Sequence, residues 1–170
     1  MVILGIDPGS RKMGYGVILS HGRKIEYVAS GVLNFEKEDN FFLKIGLIFE
    51  STRDIITKFQ PDEISIESLI YVKSVTSLSK LAQARGAAIA GIISADKKRI
   101  VEYSPNLIKS AVTGHGHSSK EEIQKTLGMI LKVNSFKTHD ESDALAIAIC
   151  HHFCKNSRAI SGQSSKIGFA

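Results

Sequence analysis

The fold of this chain is decided at Val2-Ile3-Leu4-Gly5-Ile6-Asp7-Pro8-Gly9. Branched and long apolar residues at 2, 3, 4 and 6 read as a strand apolar on both faces, hence the middle of a covered sheet. Asp7 puts a carboxylate where that strand ends, because Pro8 lacks the donor that pairing needs and Gly9 permits positive φ. An acid there stands at the carboxyl edge of a rigid strand, where open α/β sheets bind ligands. Asp-Pro-Gly is also ordinary turn chemistry. Turn and site stay equally open until other acids are found at the same edge.

Working outward, Met13–Leu19 and Lys24–Leu33 are strand-like runs joined around His21-Gly22, which predicts a hairpin antiparallel to the first strand. Gly14 and Gly16 share one face of it, leaving room for another backbone or a ligand beside Asp7; a bulge explains them equally well. Apolar residues at helical spacing from Phe41 to Phe59 predict an amphipathic helix stopped by Pro61. Glu63-Ile-Ser-Ile-Glu67 then reads as a short strand with Glu63, Ser65 and Glu67 on one face. A helical crossover makes this strand parallel to its neighbour, so Glu67 reaches the edge that Asp7 occupies. A solvated strand-end glutamate is the plainer alternative.

Val72–Ala95 reads as a second helix, with Val75, Leu78, Ala82, Ile89 and Ile93 on one stripe. The small residues around that stripe would admit another helix on a second side. Arg99–Tyr103 is a fifth strand, and Ser104-Pro105 opens a short helix. Gly114-His-Gly-His-Ser-Ser-Lys120 is a flexible loop, after which Ser119 and Glu122 form a capping box for a helix over Glu121–Lys132. Thr138 and Glu141 fit a second capping box at the last helix. Asp140 suits that helix's dipole. Asp143, beyond the first turn, shares a face with Asp140, Ala144 and Ile147, the stripe that packs on the sheet. Buried unpaired acids are costly, so a positive group is expected between them. His115 and His117 invite a zinc reading with Cys150, His151 and Cys154, but no close ligand pair supports it, and cysteines four apart on a helix fit a core.

The chain has 170 residues, with hydrophobic residues at 43% and charged ones at 23%, as in ordinary globular proteins. One domain is expected over 1–156, followed by a polar, flexible tail over 157–170. No apolar run reaches the length of a membrane span, and the N-terminus enters a strand with no basic leader. With only two cysteines, a cytoplasmic location and no membrane partner are expected. Net charge +5 mildly favours an anionic partner.

Asp7, Glu67, Asp140 and Asp143 can therefore converge, two from strand ends and two from one helix face. Carboxylates without a cysteine–histidine set suit a hard cation, Mg²⁺ or Mn²⁺. Two such ions can activate water and stabilise the leaving oxygen of a phosphodiester.

Gly5-Ile-Asp-Pro-Gly-Ser-Arg11 with Gly14-Tyr-Gly-Val17, Ile66-Glu67, Leu81-Ala-Gln-Ala-Arg-Gly86 and Asp140-Glu-Ser-Asp-Ala-Leu-Ala-Ile-Ala148 together resemble the RuvC family of Holliday-junction resolvases. The match is collinear from Val2 to His151. It implies an α/β, RNase H-like fold: a five-stranded mixed sheet, antiparallel over the first three strands and then parallel, flanked by helices on both faces. It also implies a two-fold homodimer that nicks two opposed strands of a four-way DNA junction symmetrically, in recombination and repair, leaving 5′-phosphate and 3′-hydroxyl ends. The implied cofactor is Mg²⁺, two ions per subunit with Mn²⁺ able to substitute, and the implied partners are RuvA and RuvB. Carried over residue by residue, the metal-binding catalytic acids are Asp7, Glu67, Asp140 and Asp143. The basic DNA-binding residues are Lys109 and Lys120, with Lys120 also catalytic; a solvated surface lysine is the alternative for each. The family often has a junction-wedging aromatic three positions after its catalytic glutamate. Here that position is Ile70, with Tyr71 next, so Tyr71 is expected to stack on a base and Ile70 to act at most as a passive wedge; a Tyr71 that merely covers the start of the next helix is the alternative. Competing readings are a YqgF-like nuclease of the same fold, a junction-binding module without catalysis, and an actin-like ATPase. The complete acid set speaks against the second, and the lack of a second Asp-x-Gly turn after an apolar strand against the third.

Overall fold

A computed structural model describes residues 1–69, 74–96 and 98–161. Ile70, Tyr71 and the end of the polar tail lie outside them. β1 (Val2–Asp7) pairs antiparallel with β2 (Lys12–His21), which pairs antiparallel with β3 (Lys24–Asn34) across Gly22, whose φ is +58°. On its other side β1 pairs in parallel with β4 (Glu63–Glu67), and β4 in parallel with β5 (Ile100–Tyr103). The order β3-β2-β1-β4-β5 puts the opening stretch at the centre of the sheet. This is the five-stranded mixed sheet of the RNase H-like fold.

Both faces are covered. Leu4, Ile6, Ile64 and Ile66 face α1 (Phe41–Phe59) and α2 (Val75–Ala95), while Ile3 and Ile18 face α3 (Pro105–Thr113), α4 (Lys120–Leu131) and α5 (His139–Ser161). The strand alternation thus divides β1 between two cores. Helix α5 stays helical to Ser161, into the segment read from composition as tail.

The α2 stripe expected from sequence is not the one that packs. Val75 and Ile93 are exposed, whereas Ala84, Ala87, Ala88, Gly91 and Ile92 are buried. Small residues occur all round this helix, so periodicity does not select a face. Close approach does: a Cβ on Gly91 would strike the carbonyl oxygen of Phe49 in α1. Ala88, one of the small residues around the expected stripe, is fully buried in the chain's own core. Arg85 of the same helix pairs with Glu102 of β5.

The glycines of the hairpin are explained by backbone, not by a bulge. The register slips in β3 opposite Val17 and Ile18, beyond Gly14 and Gly16. Gly5, Gly14 and Gly16 lie under α5 instead. A Cβ on Gly16 would come within 2.7 Å of the Leu145 nitrogen, one on Gly5 within 2.7 Å of the Ala148 nitrogen, and one on Gly14 onto the carbonyl oxygen of Asp140. Helix α5 therefore rests directly on the main chain of β1 and β2.

Candidate active site

That contact positions the acids. Asp7 ends β1 opposite Gly14, and the first turn of α5 lies on Gly14, so Asp140 arrives beside Asp7. Helix α5 also crosses the inner face of β4, where a helical step of four residues matches a strand step of two. Glu63 meets His151 at 2.5 Å, the Ser65 hydroxyl donates to the Ile147 carbonyl at 3.3 Å, and Glu67 comes under the charge of Asp143. Asp7, Glu67, Asp140 and Asp143 are all partly buried.

The electrostatics follow from this crowding. Burial, then repulsion from Glu67, Asp143 and Asp140, pushes the Asp7 carboxyl up to about 7, with Lys120 acting the other way. Burial and the Asp143 charge likewise raise Glu67, against the pull of Lys120 and Lys109. Lys120 is the positive group that the buried acids require. Its Nζ donates to Asp143 at 3.2 Å, and this contact, more than any other, raises its own pKa. The reciprocal Ser119–Glu122 capping box starts α4 at Lys120 and so aims this side chain.

Glu67, Asp143, Lys109, Lys120 and the apolar Ile108 and Ile123 line a cleft of about 230 Å³; Asp7 and Asp140 lie outside its lining. Lys109 projects from α3, which is capped by Ser104 and opens with Pro105. The cleft thus has acids on one wall and two lysines on the other.

The donor set fits a divalent cation in its chemistry: acceptor-only oxygens in excess of the positive charge, partly withdrawn from water. Among the described residues no group of three or more His, Cys, Asp or Glu side chains is already arranged to hold an ion. Of the zinc candidates, His151, Cys150 and Cys154 are engaged elsewhere. Burial pushes His151 below its usual range against the pull of Glu63, and its ring nitrogens are engaged, Nε2 with the Glu63 carboxylate at 2.5 Å and Nδ1 with the Tyr103 hydroxyl at 2.8 Å. The Cys150 thiol contacts the Leu107 carbonyl oxygen and Cys154.

Sequence reading missed how the α5 first turn is held. Glu141 does not close a capping box on the Thr138 nitrogen. Its carboxylate accepts instead from the Lys137 nitrogen at 2.8 Å and from the Ser30 hydroxyl at 2.5 Å. Gln124 of α4 donates to the Ser142 hydroxyl at 3.0 Å and reaches His139 at 3.0 Å, coupling the helix of Lys120 to that of Asp143. Nothing in local spacing signals either long-range pair.

The sheet order, with acids gathered at the carboxyl ends of its adjacent parallel strands, defines an RNase H-like protein with a carboxylate site. Residues 3–151 match the family described as crossover junction endodeoxyribonuclease RuvC. The chain is 43% identical to the protein of that name from Psychromonas ingrahamii over 166 residues, 97% of this chain and 95% of the relative. It is also 43% identical to that of Photobacterium profundum, covering 96% and 94%. The structure of T. thermophilus RuvC in complex with Holliday junction substrate superposes with a TM-score of 0.86 at 28% identity, covering 92% of this chain and 96% of that one. The yeast mitochondrial Holliday junction resolvase shares the fold, with a TM-score of 0.69 at 16% identity over 94% of this chain and 83% of that one. The chain belongs to the RuvC family of crossover junction endodeoxyribonucleases.

Proposed function

We propose that this protein resolves four-way DNA junctions by divalent-metal-dependent, hydrolytic nicking of two opposed strands, leaving 5′-phosphate and 3′-hydroxyl ends. The observation that carries the reading is the gathering of Asp7, Glu67, Asp140 and Asp143, where burial, and then repulsion from the other three, pushes the Asp7 carboxyl up to about 7. Such a cluster is unfavourable by itself and becomes favourable around a cation. Asp7, Glu67, Asp140 and Asp143 would hold Mg²⁺, two ions per subunit, with Mn²⁺ as a substitute. Bound there, the metal supplies an activated water and charge stabilisation for phosphodiester hydrolysis.

The chain's own residues do the rest. Lys109 and Lys120 meet backbone phosphates as point charges across the cleft. Lys120, which here pairs with Asp143 at 3.2 Å, would bring its charge to the reacting phosphate. The apolar cleft floor of Ile108 and Ile123 limits the water that competes for these contacts.

Two opposed cuts need two sites, which a two-fold homodimer supplies. The exposed outer face of the α1–α2 layer suits it: Phe42, Leu43 and Leu47 from α1, with the small residues Ala82, Gly86 and Ala90 from α2. RuvA and RuvB are the partners this reading implies, and cytoplasm is the compartment. No helix of the described residues is long and apolar enough to cross a membrane.

The test is incubation with labelled four-way, three-way and duplex DNA, with and without Mg²⁺. Paired symmetric nicks are expected in the four-way junction alone, and only with metal. Equal cutting of duplex, or ATP turnover without nicking, would overturn the reading.

A further inference from the structure

We propose that Glu141 is a positioning residue for the carboxylate site, acting through the main chain of the first α5 turn. It stands between Asp140 and Asp143 in sequence but turns away from them and is 7% exposed. One carboxylate oxygen accepts the Ser30 hydroxyl at 2.5 Å, and that hydroxyl also bonds the Tyr27 hydroxyl at 2.8 Å. The other accepts the main-chain N–H of Lys137 at 2.8 Å, while the N–H of Glu141 donates to the Thr138 hydroxyl at 3.3 Å.

These bonds do two different things. The Lys137 and Thr138 contacts organise the entry into the helix, which any cap would do. The Ser30 bond crosses from α5 to β3, 111 residues away in the chain, and a cap has no need of it. It ties the turn that carries Asp140 to the hairpin whose other strand holds Gly14 opposite Asp7. Without a cation, repulsion of Asp7 by Glu67, Asp143 and Asp140 works against the seating of that turn on Gly14. Glu141 opposes that repulsion with a partly buried, charge-assisted bond placed on the far side of the helix from the acids. It acts as an outer partner of the site, fixing ligands it does not itself join.

This inference rests on the reading that the acids hold divalent ions. Glu141→Ala, Glu141→Gln and Ser30→Ala would be compared with the wild type in three measurements. These are amide hydrogen exchange at Asp140–Asp143 without metal, calorimetric titration with Mg²⁺ alone, and single-turnover nicking at saturating four-way junction. Glu141→Ala and Ser30→Ala are expected to speed exchange and to weaken Mg²⁺ binding by about 10- to 100-fold, the range for outer partners of metal sites. Nicking at saturation slows with them, while junction affinity in EDTA is unchanged. Glu141→Gln keeps an acceptor for Lys137 and a donor for the Ser30 oxygen, and so recovers most of the loss. A folded Glu141→Ala with wild-type Mg²⁺ affinity and rate would reduce Glu141 to a helix cap and overturn the proposal. If Glu141→Ala does not fold, the same wild-type values in Ser30→Ala overturn it. A wild-type protein that binds Mg²⁺ but leaves junctions intact would sink the nuclease reading instead, and the exchange and Mg²⁺ comparisons would still decide the role of Glu141.

Discussion

The main-chain carbonyl of Asp140 occupies the space that a side chain on Gly14 would fill. Since Gly14 is also the residue paired with Asp7, one missing methyl sets the approach of the α5 acids to the β1 acid. Gly14→Ala is expected to destabilise the fold by about 1–3 kcal/mol, the usual cost of overpacking. Nicking should fall more than the melting temperature implies, because the displaced turn carries Asp140. Thermal melting and rates taken well below the melting point would check this. A wild-type rate would mean that α5 adjusts without moving its acids.

Asp7→Asn, Glu67→Gln, Asp140→Asn and Asp143→Asn should each slow nicking by at least about 100-fold, the upper range for mere outer partners of a metal site. Junction binding should persist, since removing a negative charge beside phosphates cannot weaken Coulomb attraction. Gel-shift titration and single-turnover cleavage separate the two. A variant that cuts at the wild-type rate is not a ligand.

The raised pKa of Asp7 has a sign. A carboxyl whose folded pKa exceeds its unfolded one favours folding only while protonated, so stability falls as pH climbs from about 4 to about 7. The shift from 3.8 to about 7 corresponds to a loss on the order of 4 kcal/mol. Asp7→Asn should therefore raise the melting temperature of metal-free protein at pH 8 and change it little at pH 4. Mg²⁺ should stabilise the wild type more than the variant. Equal melting of the two proteins at pH 8 would show that the acids are farther apart, or wetter, than the site geometry requires.

Lys109→Ala and Lys120→Ala should each reduce the salt slope of junction binding by about 0.9, one phosphate contact apiece. Lys120→Ala should also slow cleavage at saturating DNA, as expected for a charge at the reacting phosphate. If only binding changes, Lys120 acts in recognition alone.

Gly86→Arg should yield a monomer by sedimentation and uncouple the paired cuts, because Gly86 is exposed and open on the outer face of α2. Ala88→Arg should instead unfold the protein, because Ala88 is fully buried within the chain. A Gly86→Arg protein that stays dimeric would move the interface off this helix.

Much of this was legible in the residues themselves. The strand ending at Asp7, the hairpin, the Glu63–Glu67 strand and the Ser119 cap depend on alternation, turn chemistry and capping, which act over a few residues. That Asp7 and Glu67 share one edge followed from chain order, since a helical crossover makes strands parallel, and Asp140 and Asp143 were read from sharing one helix face. What the tertiary structure alone decided are the pairings between distant segments. Helix α2 buries Ala84, Ala87, Ala88 and Ile92 rather than Val75 and Ile93 because α1 comes too close for a side chain at Gly91. Lys120 was recognisable as basic, but its contact with Asp143 depends on how α4 sits on α5. Glu141 looked like half of a capping box, and its partner Ser30 lies on a strand that no local rule connects to it. Short-range rules leave helix faces and long-range polar partners open, and only close packing of whole elements chooses among them.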